Sequence, residues 1–344
     1  MRFGLSSTGG TPPRFRTKVI GIYSFLAAFN IGAWSWAVAA LHDNPVLLGA
    51  ALAVYGLGLR HALDADHIAA IDNVTRRLMQ SGSRPVAVGL FFALGHSTIV
   101  IAATAAIASS TVALDHIARF HETGAWLSTS ISAGFLLLVG SMNLLIFGSI
   151  CTAIYAAPKS DENINAAPAA GGLLTRVLAP LLRLVDRSWL MFPLGFLFAL
   201  GFDTAAEIAL FGVSAAHAAD GLPLGSILVF PVLFAAGMSL VDTTDGVMMV
   251  GAYNWALLNP RRKQYYNLAI TALSVAVAFF IAGLEIASLF KMHLPAEGRI
   301  KPVIEAMANN MNTLGIVIVS LFGVCWLLSV AATRLNKQYR SSRR

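Results

Sequence analysis

The sequence predicts an all-α polytopic membrane protein with eight transmembrane helices and both termini in the cytoplasm. Composition, the spacing of apolar stretches and the alternation of basic residues predict it. Of 344 residues, 57% are hydrophobic and only 12% charged, with a mean hydropathy of +0.70. A soluble domain carries about a quarter charged residues. Apolar stretches of about 20 residues, enough to cross a hydrocarbon core of roughly 30 Å, recur between polar breaks.

The first span, about 19–41, exceeds the roughly 7 to 15 residues of a signal-peptide core and reads as an uncleaved helix. The second, about 46–74, begins apolar and ends in "LGLRHALDADHIAAIDNV", the most polar stretch assigned to the membrane. The third, about 86–108, carries "FFALGHSTIV", and the fourth covers about 125–155. Residues 156–188, which contain "APKSDENINAAPAAGG", are expected to form a cytoplasmic connecting loop, too short for a separate soluble domain. Spans over about 189–216, 224–258, 265–290 and 313–335 follow, so residues 1–344 form one transmembrane domain.

Cytoplasmic loops retain Lys and Arg, and the basic residues alternate accordingly. Nineteen fall on one side, in the N-terminal segment, at Arg76, Arg77 and Arg84, in the 156–188 loop, at Arg261 to Lys263 and from Arg334 onward. Four, Arg119, Lys291, Arg299 and Lys301, fall on the other, and Arg60 lies within a span. The net charge of +7 and pI near 9.7 are therefore topogenic and exclude nucleic acid as a partner. Cys151 and Cys325 lie in or beside apolar spans, which suggests neither a disulfide framework nor a thiolate site.

The informative residues are ionisable groups inside spans. A charge at the bilayer centre costs at least about 2.5 to 3.5 kcal/mol on insertion scales, so such groups face a bundle interior and mark a pathway. The second span has Arg60, His61, Asp64, Asp66, His67 and Asp72; the third has His96; the fifth has Asp203 and Glu207; the sixth has Asp242 and Asp245. Seven acids against one arginine require protons or a cation for balance.

At about 100° per residue, Asp203 and Glu207 lie about 40° apart and Asp242 and Asp245 about 60° apart, so each pair shares a helix face. The second span does not phase this way. His61 and Asp66 lie about 140° apart, and His67 about 120° from His61 on the other side. An interrupted helix between His61 and His67 resolves the conflict. Gly56 and Gly58 are expected to permit the unwinding, which is tolerated where backbone lines a polar cavity.

Imidazole suits Ni, Co, Cu and Zn, whereas Mg²⁺ and Ca²⁺ take oxygen. Two histidines and aspartates in one window, with His96 on the next span, favour a divalent transition metal, although the ligand types do not choose among such metals. "RHALDADHIAAIDN", with its His-x4-Asp-His, together with "LGHS", "LGFDTAAE" and "GMSLVDTTDG", resembles the nickel/cobalt transporter family, close to its high-affinity nickel permeases. The resemblance covers all eight expected spans. It implies that His61, Asp66 and His67, with Asp64 and Asp72 beside them, bind metal, and that Asp203, Glu207, Asp242 and Asp245 are needed for uptake. It also implies that metal preference involves Asn30 in "AAFNIGAW". Ala206 replaces a common Thr and Leu63 fills a variable place, and neither change removes a charge.

The expected function is therefore uptake of Ni²⁺, with Co²⁺ as a second candidate, across the bacterial inner membrane by a secondary permease, not an enzyme. Metal would pass from His61/Asp66/His67 to the fifth- and sixth-span acids. No cofactor is expected, and without G-x4-G-K-[S/T] the chain has no ATPase of its own. The expected partners are the divalent metal and the bilayer, with an indirect link to nickel-enzyme maturation implied by the resemblance. A proton or alkali-cation antiporter could use the same acids but has no need of the histidines. An intramembrane metalloprotease would need His-Glu-x-x-His, which is absent.

Each site also has an ordinary reading. Arg60 is expected either to make a structural ion pair with an aspartate or to hold the acids ionised. His96 beside Ser97 could serve only as an interhelical hydrogen bonder. Glu285 and "ANNMN" are expected near the outer surface, solvated. His42, His116, His121, His217 and His293 are assigned to outer loops, and the ten methionines to lipid and core packing.

Overall fold

In a computed structural model that describes residues 13–109, 111–156, 186–201, 205–219, 221–257, 260–290 and 300–341, no strand occurs among the described residues. The helices are α1 (Pro13–Leu41), α2 (Pro45–His61), α3 (Ala65–Gln80), α4 (Val88–Ser109), α5 (Thr111–Ala156), α6 (Met191–Phe198), α7 (Ala205–Ala219), α8 (Val229–Leu257), α9 (Pro260–Leu289), α10 (Ile300–Ala308) and α11 (Met311–Ser341). Six of them, α1, α4, α5, α8, α9 and α11, are apolar enough over sufficient length to cross a membrane unbroken, α8 with help from a preceding turn, Leu224–Ile227.

The expected second span is the pair α2 and α3, bent by 51° at a short break. The interruption between His61 and His67 is thus present, but the glycines do not cause it. Both Gly56 and Gly58 sit within regular α2, and the break follows at Ala62 to Asp64. The stretch 189–216 is not one helix either. It is α6, a 3₁₀ turn at Ala199–Gly201 and α7, with residues 202–204 outside the described ones. α5 begins at Thr111, so the backbone at His116 and His121 is helical where a loop was expected. Most of the expected 156–188 loop, and His293, lie outside the described residues.

Local chemistry explains the broken span. Asn44 caps α2, its side-chain oxygen accepting from the amides of Val46 and Leu47, and Pro45 occupies the first turn, where no donor is needed. After His61 the chain tightens: Leu63 N–H donates to the Arg60 carbonyl at 3.0 Å and Asp64 N–H to the His61 carbonyl at 2.9 Å. Asp64 then goes extended and opens α3. Helix α11 braces the break. Asn312 Nδ2 donates to the Arg60 carbonyl, and Gly315 lies so close that a Cβ there would collide with the Leu63 carbonyl oxygen.

α8 forms the centre, packed on α1, α2, α3 and α4, while α5 pairs with α9 and α4 with α6. In lipid, helices associate through close packing of small residues. Gly58 has that role: its Cα faces the Phe234 backbone, and Gly237 meets the Tyr55 carbonyl in return, so α2 and α8 touch backbone to backbone.

Candidate metal centre

The break turns His61, the last residue of α2, and His67, on the first turns of α3, toward one point. α4 adds His96. One nitrogen from each of these three rings lies within 4.8 Å of the other two, and all three side chains are buried. His61 Nδ1 is 3.1 Å from Asp64 Oδ2, and its Nε2 is 3.0 Å from His96 Nε2. That same His96 Nε2 lies 3.0 Å from Glu207 Oε1. His67 Nδ1 faces Asp242 Oδ1 at 3.6 Å, too long for a hydrogen bond.

These distances leave a shortage of protons. His96 Nε2 can either donate one hydrogen or accept one, so it cannot satisfy both His61 and Glu207. A cation held at that point could be shared by all three groups. Asp64 stands against the second nitrogen of His61, the position from which a carboxylate orients a metal-binding imidazole.

A cavity of about 360 Å³ connects this cluster to the surface. Asp66 lines it, half-buried, and so does Glu285. Glu285 departs from expectation. It is 6% exposed rather than solvated, and it accepts a 2.7 Å hydrogen bond from Ser132. The rule that flagged the other intramembrane acids would have found it. Asn309 and Asn312, from the "ANNMN" stretch, also line the cavity.

Other expected site residues lie elsewhere. Asn30 accepts from the Tyr55 hydroxyl at 2.9 Å, donates to the Leu26 carbonyl at 2.9 Å and lines an open groove with Trp34, away from the histidines. Asp72 pairs with Arg76, and Asp245 is buried one turn beyond Asp242 on α8. Asp203 is outside the described residues. Arg60 is exposed at the cavity and makes no ion pair among the described residues. Arg76 makes one instead, although its sequence position assigned it to a loop.

Residues 47–332 match the family described as high-affinity nickel-transport protein, NicO. The chain is 47% identical over 338 residues to a high-affinity nickel transport protein of Cupriavidus necator, covering 97% of this chain and 95% of that one. It is 46% identical to the hydrogenase nickel incorporation protein HupN of Bradyrhizobium diazoefficiens, over 91% of this chain and 83% of that one. It is 36% identical to the cobalt transport protein NhlF of Rhodococcus rhodochrous, over 85% and 84% respectively. No solved structure matches.

Proposed function

The chain belongs to the NicO family of high-affinity nickel-transport proteins, and on that premise we propose that it takes up Ni²⁺, with Co²⁺ as a second substrate, as a secondary permease of the bacterial inner membrane. The observation that carries this reading is the set of three buried imidazoles, each with a carboxylate beside it, at a break inside a span. Six unbroken helices and the broken α2–α3 pair account for up to seven spans, and we read the α6–α7 segment as the eighth. The basic-residue bias puts both termini in the cytoplasm.

Hydrated metal enters the cavity past Asp66 and Glu285 and exchanges water for His61, His67 and His96. Glu207, beside His96, belongs to the same site, and the metal then moves to Asp242 and Asp245 on its way inward, while the family resemblance adds Asp203 to the acids needed for uptake. An inside-negative potential is worth about 2.3 kcal/mol per charge per 100 mV, hence roughly 4.6 kcal/mol for a divalent ion. The names of the relatives from Bradyrhizobium and Rhodococcus support two further points: delivery toward nickel-enzyme maturation, and Co²⁺ as a competitor.

Proteoliposomes with an imposed inside-negative potential test this. ⁶³Ni accumulates well beyond protein-free vesicles, and Co²⁺ competes more strongly than Mg²⁺. Accumulation equal to that of empty vesicles, or proton flux indifferent to Ni²⁺, overturns the reading, the latter in favour of an antiporter. In the same vesicles, Glu285→Gln raises KM for Ni²⁺ on the order of tenfold, because a cavity carboxylate concentrates cations. The maximal rate changes little, and a drop in maximal rate at constant KM would remove Glu285 from the capture step.

A further inference from the structure

Beyond the histidines, α3 buries a second polar group. Asp72 and Arg76 are both 0% exposed. Arg76 Nη2 reaches Asp72 Oδ1 at 3.1 Å and Oδ2 at 3.2 Å, and Ser274 Oγ donates to Oδ2 at 2.6 Å. Asp72 follows His67 by five residues, so it lies about 7.5 Å further along the helix. On α8, Asp245 follows Asp242 by three residues, about 4.5 Å further along.

Asp245 is 7% exposed, and its Oδ2 has no hydrogen-bond partner. The next residue, Gly246, packs against Ile71, so α8 meets α3 one residue from Asp245 on one helix and one residue from Asp72 on the other. Thr75, on α3, carries a buried hydroxyl without a hydrogen bond, and that hydroxyl lies beside Gly246, next in sequence to Asp245. A buried carboxylate with no counter-ion is costly unless something compensates it. Two carboxylates and one guanidinium leave one carboxylate without a counter-ion, which a proton or an arriving cation balances.

We propose that Asp72, Asp245, Ser274 and Thr75 form a second, all-oxygen cation station between the histidine cluster and the Gln80 end of α3, with Arg76 as a tethered cation that cargo displaces. The proposal rests on the metal-carrier reading. The guanidinium fills the station in the resting molecule and keeps the far end of the path closed. Arriving metal takes over Asp72, and the path opens. The station has no imidazole, so it binds hard divalent ions as readily as nickel and adds no selectivity. Selectivity stays with the histidines.

Mn²⁺, which prefers oxygen ligands and is visible by electron paramagnetic resonance, is the probe. The full chain carrying His61→Ala, His67→Ala and His96→Ala is purified in detergent, so that any Mn²⁺ bound does not depend on the imidazoles. Adding Arg76→Gln tightens Mn²⁺ binding at least tenfold, and adding Asp245→Asn removes the gain. Unchanged Mn²⁺ binding in monodisperse Arg76→Gln protein overturns the proposal, as does a gain that survives Asp245→Asn.

If Arg76→Gln does not fold, Asp245→Asn in the otherwise unaltered chain decides. The maximal rate of ⁶³Ni uptake falls at least tenfold while equilibrium Ni²⁺ binding stays within twofold. Parallel loss of binding and transport places Asp245 at the histidines and overturns the station. Failure of the carrier reading looks different, because the unaltered chain then binds no Ni²⁺ at all.

Discussion

Replacing His61 with alanine abolishes high-affinity nickel uptake. His61 ends α2, contributes one of three clustered imidazole nitrogens and holds Asp64 through its other nitrogen. Loss of a group that merely orients a ligand costs about 10- to 100-fold in metal affinity. Loss of the ligand itself exceeds that range, so Ni²⁺ affinity falls more than about 100-fold, or about 2.7 kcal/mol. Asp64→Asn keeps all three imidazoles and falls within the 10- to 100-fold range. Equilibrium dialysis with ⁶³Ni on purified protein, beside uptake in expressing cells, measures both variants. If His61→Ala binds and transports like the parent chain, the histidine cluster is not the metal site.

Gly315→Ala is expected to disable the protein without touching a ligand. A Cβ at this position runs into the Leu63 carbonyl oxygen and comes within 2.9 Å of Ile68 Cδ1. The break between α2 and α3 must then shift, and His61 moves relative to His67. Overpacking of this kind costs about 1 to 3 kcal/mol. Gly323 on the same helix has nothing within 4 Å of its would-be Cβ, so Gly323→Ala is neutral or slightly stabilising, since Ala is the better helix former. Thermal unfolding and Ni²⁺ binding of the two variants separate them. Identical behaviour would show that α11 does not brace the break.

Much of this was legible from residue order because lipid imposes simple rules. Apolar runs had to be helices, and charged residues inside them had to have partners. Helical phasing alone exposed the conflict between His61 and His67 and foretold the break. Phasing could not reveal which residues produce it. Gly58 packs against α8, a use that depends on where another helix runs. Arg76 read as a loop residue because positive charge next to a span usually is one, and only packing by α9 and α8 shows it buried beside Asp72 and Ser274. Glu285 was discounted by its nearness to a span end, yet Ser132 on α5 reaches it in the interior. Asn30 illustrates the reverse, since a polar residue in a span can be satisfied by a neighbouring tyrosine and a helix carbonyl.

The break has one more consequence. Peptide dipoles aligned along a helix place about half a negative charge at its C-terminal end and about half a positive charge at its N-terminal end. α2 ends at His61, so its negative end points at the histidine cluster, and α3 begins at Ala65 with Asp66 in its first turn. The backbone itself thus favours a cation at the cluster and ionised carboxylates beside it, the arrangement that discontinuous membrane helices use for ions. This attraction belongs to no side chain. Substitution of any single acid leaves it in place, and only a straightened helix would remove it.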